Sequence, residues 1–234
     1  MGDEIDCPTD GLSFFPRHAD YLEKMPTFVP VNNTETNTDM PDTLLRQTLD
    51  AVASTRYPGM SPAARRQVAE LLTRRDLEKG EILLHEGEVS QNIVLVAQGM
   101  LRQYYYKNGK DLTEHFSSEG GAVICIESTL RRQPTRLMIE ALEDSVVYLL
   151  PYERFLLLTE VSWEANMLYR KILEHSLIES QVKADSWRFE SARERYNRLM
   201  ETHPEVIQRA PLGYIASYLL MTPETLSRVR SGAL

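Results

Sequence analysis

The sequence predicts an α+β protein: an antiparallel β sandwich or jelly roll in the middle of the chain, helices before and after it, and a helix-turn-helix near the C-terminal end. Three observations carry this. Between Gly80 and Pro151, short β-rich runs follow one another at close spacing, bounded by glycines and acidic turns, as in antiparallel all-β architectures. On either side the apolar residues recur at a helical period. The last two helical patterns, "PLGYIASYLL" and "TPETLSRVR", lie about three residues apart, the spacing of a helix-turn-helix.

Composition narrows the class. A chain of 234 residues holds one large domain, or a medium and a small one. Its 42% hydrophobic and 26% charged residues suit an ordinary globular protein rather than a disordered or fibrous one. No apolar run reaches the length of a bilayer, and the acidic N-terminus lacks the basic and apolar regions of a signal peptide. Cys7 and Cys125 supply neither a disulfide framework nor a metal ligand set. His85, His115 and His175 are isolated in sequence, which suits structural roles better than ligation. The expectation is a cytoplasmic protein with no membrane partner, metal or cofactor. A net charge of −8 argues against nonspecific coating of nucleic acid. The charge is uneven, however: residues 1–43 carry −7 and residues 183–234 carry +2, so only the C-terminal end suits a phosphate backbone.

Taken in order, residues 1–43 are punctuated by prolines and the polar tract "VNNTETNTD" and read as an acidic extension without its own core. "DTLLRQTLDAVAS" and "SPAARRQVAELLTRR" read as two helices, the second capped by Ser61 with Pro62 at its first position. "EILLHEGE", "NIVLVAQG", "MLRQYYYKNGKDLTEHFSS", "RLMIEALED" and "SVVYLLP" read as strands, with Asn108-Gly109 as a hairpin turn. Beyond Pro151, the apolar residues Leu168, Tyr169, Ile172, Leu173, Leu177, Ile178 and Val182 form a helical stripe wide enough to touch two surfaces. A further helix covers "SARERYNRLMETH" and ends before Pro204.

In the final pair, Ala216 permits close approach of the helices, and Ile215, Leu219, Leu226 and Val229 supply an apolar seam. Thr222 suits an N-cap and Pro223 the first helical position. Glu224, Thr225, Ser227 and Arg228 are left outward, and these side-chain types hydrogen-bond base edges. A helical hairpin that merely closes a core is the alternative reading of such a pair. No nucleophile–base pairing, metal triad or glycine-rich phosphate loop stands out, so an enzyme is not expected.

"YIASYLLMTPETLSRVR", "LEKGEILLHEGE", "GMLRQYY" and "ALEDSVVYLLPYERF" together resemble the Crp/Fnr transcription regulators, especially the shorter branch common in Bacteroidetes. The resemblance spans roughly residues 60–234. It implies an effector domain of the cyclic-nucleotide-binding jelly-roll type over residues 44–159, a long dimerisation helix over 160–190, and a DNA-binding helix-turn-helix over 191–234. It implies DNA contacts from Thr222, Glu224, Thr225, Ser227, Arg228 and Arg230, with Gly232 stopping the helix. The implied partners are double-stranded DNA, a second copy of the chain, an unidentified small-molecule effector and RNA polymerase.

Two departures qualify it. Relatives generally carry a glycine in the turn where this chain has Leu220. In the ligand pocket, relatives use a Gly-Glu pair for the ribose and an Arg-Ser or Arg-Thr pair for the cyclic phosphate. Here Glu127 and Ser128 hold the first region without an adjacent glycine, and Thr135 and Arg136 hold the second in reversed order. Successive strand residues face opposite ways, so this slip turns the guanidinium to the other face. The expectation is a dimeric regulator whose effector domain is not specific for cyclic AMP. The alternative, from another class, is a small-molecule sensor or interaction protein whose helix-turn-helix no longer binds DNA.

Overall fold

Asp42 caps the first described helix, α1 (Thr43–Arg56): its Oδ1 accepts hydrogen bonds from the amides of Leu44 and Leu45 at 2.9 and 3.3 Å. Its Oδ2 accepts from the Tyr148 hydroxyl at 2.5 Å, which ties the helix start to the sheet below. The structure, a computed structural model, describes residues 42–233. The acidic extension read over residues 1–43 therefore lies outside the described residues except for its last two.

Helix α2 (Pro62–Ala69) starts where expected, with the Ser61 hydroxyl accepting from the Ala64 amide at 3.2 Å. It ends earlier than its sequence suggests. Arg74 and Arg75 were expected to continue the helix, but Thr73–Leu77 is strand β1, paired along its whole length with the last strand of the sheet. Only Leu77 of that strand is buried, so its charged face gave no alternation to read. On an edge strand those same charges discourage pairing with another chain.

The remaining strands are β2 (Ile82–Leu84), β3 (Asn92–Gln98), β4 (Leu101–Lys107), β5 (Lys110–Ser117), β6 (Ala122–Val123), β7 (Met138–Ala141) and β8 (Ser145–Pro151). They form two four-stranded antiparallel sheets, ordered β1-β8-β3-β6 and β2-β7-β4-β5. Asn108 and Gly109 both have positive φ, 53° and 73°. That is the backbone of a type I′ turn, whose twist matches the β4–β5 hairpin it closes.

Alternation along β3 divides the packing. Val94 and Val96 point between the sheets, where they meet Leu101, Ile139 and Val147. Ile93 and Leu95 point outward under α1, α2, α4 (Tyr152–Val161) and α5 (Trp163–Phe189). In α5, Ala165, Leu168 and Ile172 are buried on this face, while Leu177 and Ile178 are 70% and 60% exposed. On the outer face of the second sheet α8 (Leu212–Tyr218) packs against β5, and α6 (Ala192–Thr202), α7 (Pro204–Arg209) and α9 (Pro223–Arg230) gather around it. There Met100 and Phe116 pack with Tyr196, Leu199, Val206 and Ile215. The chain is thus an α+β molecule with a jelly-roll sandwich between two helical layers.

Candidate nucleic-acid interface and effector pocket

The C-terminal helix pair is built around its turn. Ile215, Ala216, Leu219, Leu226 and Val229 are all buried and form the seam between α8 and α9. The turn closes with the Leu220 amide donating to the Ser217 carbonyl and the Met221 amide donating to the Ala216 carbonyl, each at 3.0 Å. This is the Schellman closure of a helix end, which normally uses glycine at its left-handed position. Leu220 holds that position with φ 50° and turns its side chain outward. The turn keeps the glycine geometry at a cost of about 1 kcal/mol. Arg195 of α6 steadies it, its Nε donating to the Leu219 carbonyl at 2.8 Å.

Thr222 caps α9, its hydroxyl accepting from the Thr225 amide at 3.2 Å. Thr222, Glu224, Ser227, Arg228 and Arg230 are exposed, and Thr225 is half-buried beside the cap. Hydrogen bonding by the Thr222 side chain, assisted by backbone hydrogen bonding and the Arg228 charge, holds the Glu224 carboxyl below its ordinary range. Glu224 and Arg228 stand one helical turn apart, so an acceptor and a forked donor share one exposed face. At the far end, the Ala233 amide reaches the Arg228 carbonyl at 2.9 Å and Gly232 takes φ 74°. This second Schellman closure ends α9.

The four expected pocket residues divide into two pairs, Glu127 and Arg136 turned outward and Ser128 and Thr135 turned inward. Between β6 and β7 the chain makes a short helix, α3 (Ile126–Arg131), which carries the Glu127-Ser128 pair. Glu127 lies on its exposed side, 3.2 Å from Arg131, and Arg136 is exposed as well. Ser128 and Thr135 point inward and are buried. The Ser128 hydroxyl accepts from the Ser90 amide at 3.0 Å and donates to the Gln133 carbonyl at 2.6 Å. The Thr129 hydroxyl donates to Ser90 Oγ at 3.1 Å, and the Thr135 hydroxyl accepts from the Leu137 amide at 2.9 Å. Gln103 of β4 reaches Cys125 Sγ at 3.2 Å, and burial pushes that thiol up. These polar groups satisfy one another and leave no guanidinium pointing inward from residues 128–136.

Ser90, Gln103 and Thr129 were not among the expected site residues. Their partners lie 21 to 39 residues away, and no local pattern marks them. Ser90 also lines a cavity of about 260 Å³ on the open side of the sandwich between edge strands β1 and β2. Its walls include Leu84, Val94, Ile139 and Leu149, with Arg75 and Asn92 supplying polar groups. Among the described residues, no group of three His, Cys, Asp or Glu side chains is placed to hold a metal. No described helix is long and apolar enough to cross a membrane.

Residues 74–161 match the cyclic nucleotide-binding domain. That domain runs from β1 to the end of α4, and the C-terminal helices lie beyond it. Over 69–78% of the chain, the fold is similar to that of solved bacterial regulators. The catabolite activator protein of Thermus thermophilus is 20% identical, over 78% of this chain and 85% of that one, with a TM-score of 0.50. FixK2 of Bradyrhizobium japonicum is 21% identical, over 69% and 83%, with a TM-score of 0.59. The c-di-GMP responsive global regulator CLP of Xanthomonas campestris is 17% identical, over 70% and 87%, with a TM-score of 0.54. No curated protein matches the sequence.

Proposed function

We propose that the chain is a dimeric transcription regulator of the Crp/Fnr type, whose effector domain responds to something other than cyclic AMP. The observation that carries the DNA-binding half is α9: a capped helix packed through Leu226 and Val229, with Glu224, Ser227 and Arg228 exposed along one side. Such a helix enters a major groove with its N-terminal turns against base edges. Leu220 supports the reading rather than opposing it, because the turn holds the geometry that a glycine would supply. Dimerisation is supported by the exposed Leu177 and Ile178 on α5, an apolar face that a second α5 fits by two-fold symmetry.

The effector half rests on the residues around α3. A bound cyclic phosphate calls for a charge-assisted donor aimed at it. Here Arg136 is exposed, and Ser128 and Thr135 spend their hydroxyls on backbone partners. Selection from a random pool of duplex DNA tests the reading. Recovery of a two-fold sequence with equal affinity in the presence and absence of cyclic AMP is expected. Failure to select any sequence would favour a sensor or interaction protein instead.

A further inference from the structure

We infer that Arg102, Tyr214 and Ser217 are positioning residues: they fix the C-terminal helices on the effector sheet and so set the spacing between the two DNA half-sites that a dimer reads. This rests on the DNA-binding reading above.

Arg102 lies on β4, outside the helix-turn-helix, yet its side chain is only 1% exposed. Its guanidinium forks onto Asp111 at 2.7 and 3.0 Å and meets Glu140 at 2.7 Å. Its plane is held between two rings, with 3.9 Å to the centroid of Tyr104 and 3.5 Å to that of Tyr214. Tyr104 belongs to the same strand, whereas Tyr214 belongs to α8, the first helix of the helix-turn-helix. One turn further along α8, the Ser217 hydroxyl accepts from the Thr113 amide at 2.8 Å and donates to the Asp111 carbonyl at 3.2 Å. Those backbone groups are available because β5 is the last strand of its sheet. A third tie comes from α7, where Arg209 forks onto Glu119 at 2.8 and 3.0 Å and pairs with Glu143.

None of these contacts builds the helix-turn-helix itself, whose seam is Ile215, Leu219, Leu226 and Val229. What they remove is freedom of the whole head about the extended link at Glu190, between α5 and α6. Two heads that swivel independently lose the advantage of being joined, because geometry decides whether both bind at once. Heads already held in place do not lose that freedom on binding. A ring-sandwiched guanidinium with forked carboxylates suits the task, because it specifies orientation as well as contact.

The test uses the full chain and duplexes chosen by the wild type from a random pool. Binding is measured on a single half-site and on paired half-sites whose separation is stepped by one base pair. The wild type is expected to prefer one separation. Tyr214→Ala combined with Ser217→Ala should leave half-site affinity unchanged, lower affinity for the preferred pair at least tenfold, and flatten the separation profile. Ser217→Ala alone, which removes one hydroxyl, should shift the profile in the same direction. An unchanged profile, or an equal loss on the half-site, would overturn the inference. Amide exchange separates its failure from that of the DNA-binding reading. Thr113 should be protected in the wild type and exposed in the double variant. Fast exchange at Thr113 in the wild type would remove the docking alone, whereas a wild type that selects no duplex would remove the DNA reading beneath it.

Discussion

Leu220 and Arg228 show how much single residues decide in the C-terminal head. Leu220 occupies a left-handed backbone position with its side chain half exposed, so little packing offsets the strain. Leu220→Gly should raise stability by up to about 1 kcal/mol, less whatever glycine adds to the freedom of the unfolded chain. Urea unfolding measures it, and DNA affinity should be unchanged. Arg228 and Arg230 are both exposed on α9 but have different assignments. Arg228→Ala should cost about 1–3 kcal/mol on a specific site and little on unrelated DNA. Arg230→Ala should weaken both alike and lower the salt slope by about one unit. Equal losses from Arg228→Ala on the two DNAs would make it a phosphate contact. The seam and cap residues of this head were legible in the sequence because helical spacing and capping chemistry are local signals. The Ser90–Ser128–Thr129 network and the Arg102 sandwich were not, since each depends on partners that only the fold brings near.

Among the elements, α5 divides its apolar stripe into a buried part and an exposed part, separated along the helix as well as around it. Ala165, Leu168 and Ile172 dock on the sandwich, and Leu177 and Ile178 are left in solvent one to two turns later. Ile178→Glu should therefore convert a dimer to monomers without unfolding the chain, as sedimentation and circular dichroism together would show. A dimer that survives this charge would place the interface elsewhere. Ile172 is unsuited to the same experiment because it belongs to the core. The hairpin at Asn108-Gly109 was legible for a reason opposite to that for β1: its turn chemistry is specific, whereas "TRRDL" carries helix-compatible arginines and one buried residue. Helix α3 escaped a sequence reading because six residues are too few to display a period.

At the scale of the whole molecule, stability should depend on acidity through residues that face several elements at once. Burial, with the Lys183 charge next in importance, pushes His115 down to about 4. His203, His175 and Arg56 add smaller repulsions of the same sign. Between about pH 4 and the ordinary histidine value near 6.5, the unfolded chain binds a proton that the folded chain refuses. Stability therefore rises with pH across that window and falls on acidification. The urea midpoint should drop between pH 7 and pH 5, and His115→Gln should flatten the drop. The docking of the C-terminal head also has a kinetic side. Ser217 lies 104 positions along the chain from Thr113 and 106 from Asp111, so these bonds close very large loops, while the β4–β5 hairpin beneath them is local. Loops of that size are closed late when smaller ones are available. Ser217→Ala should then accelerate unfolding and leave the refolding rate nearly unchanged in a stopped-flow chevron, the signature of an interaction absent from the transition state. A head that arrives last and leaves first would make the sandwich the nucleus of this chain and α9 the part most readily lost to heat or proteases.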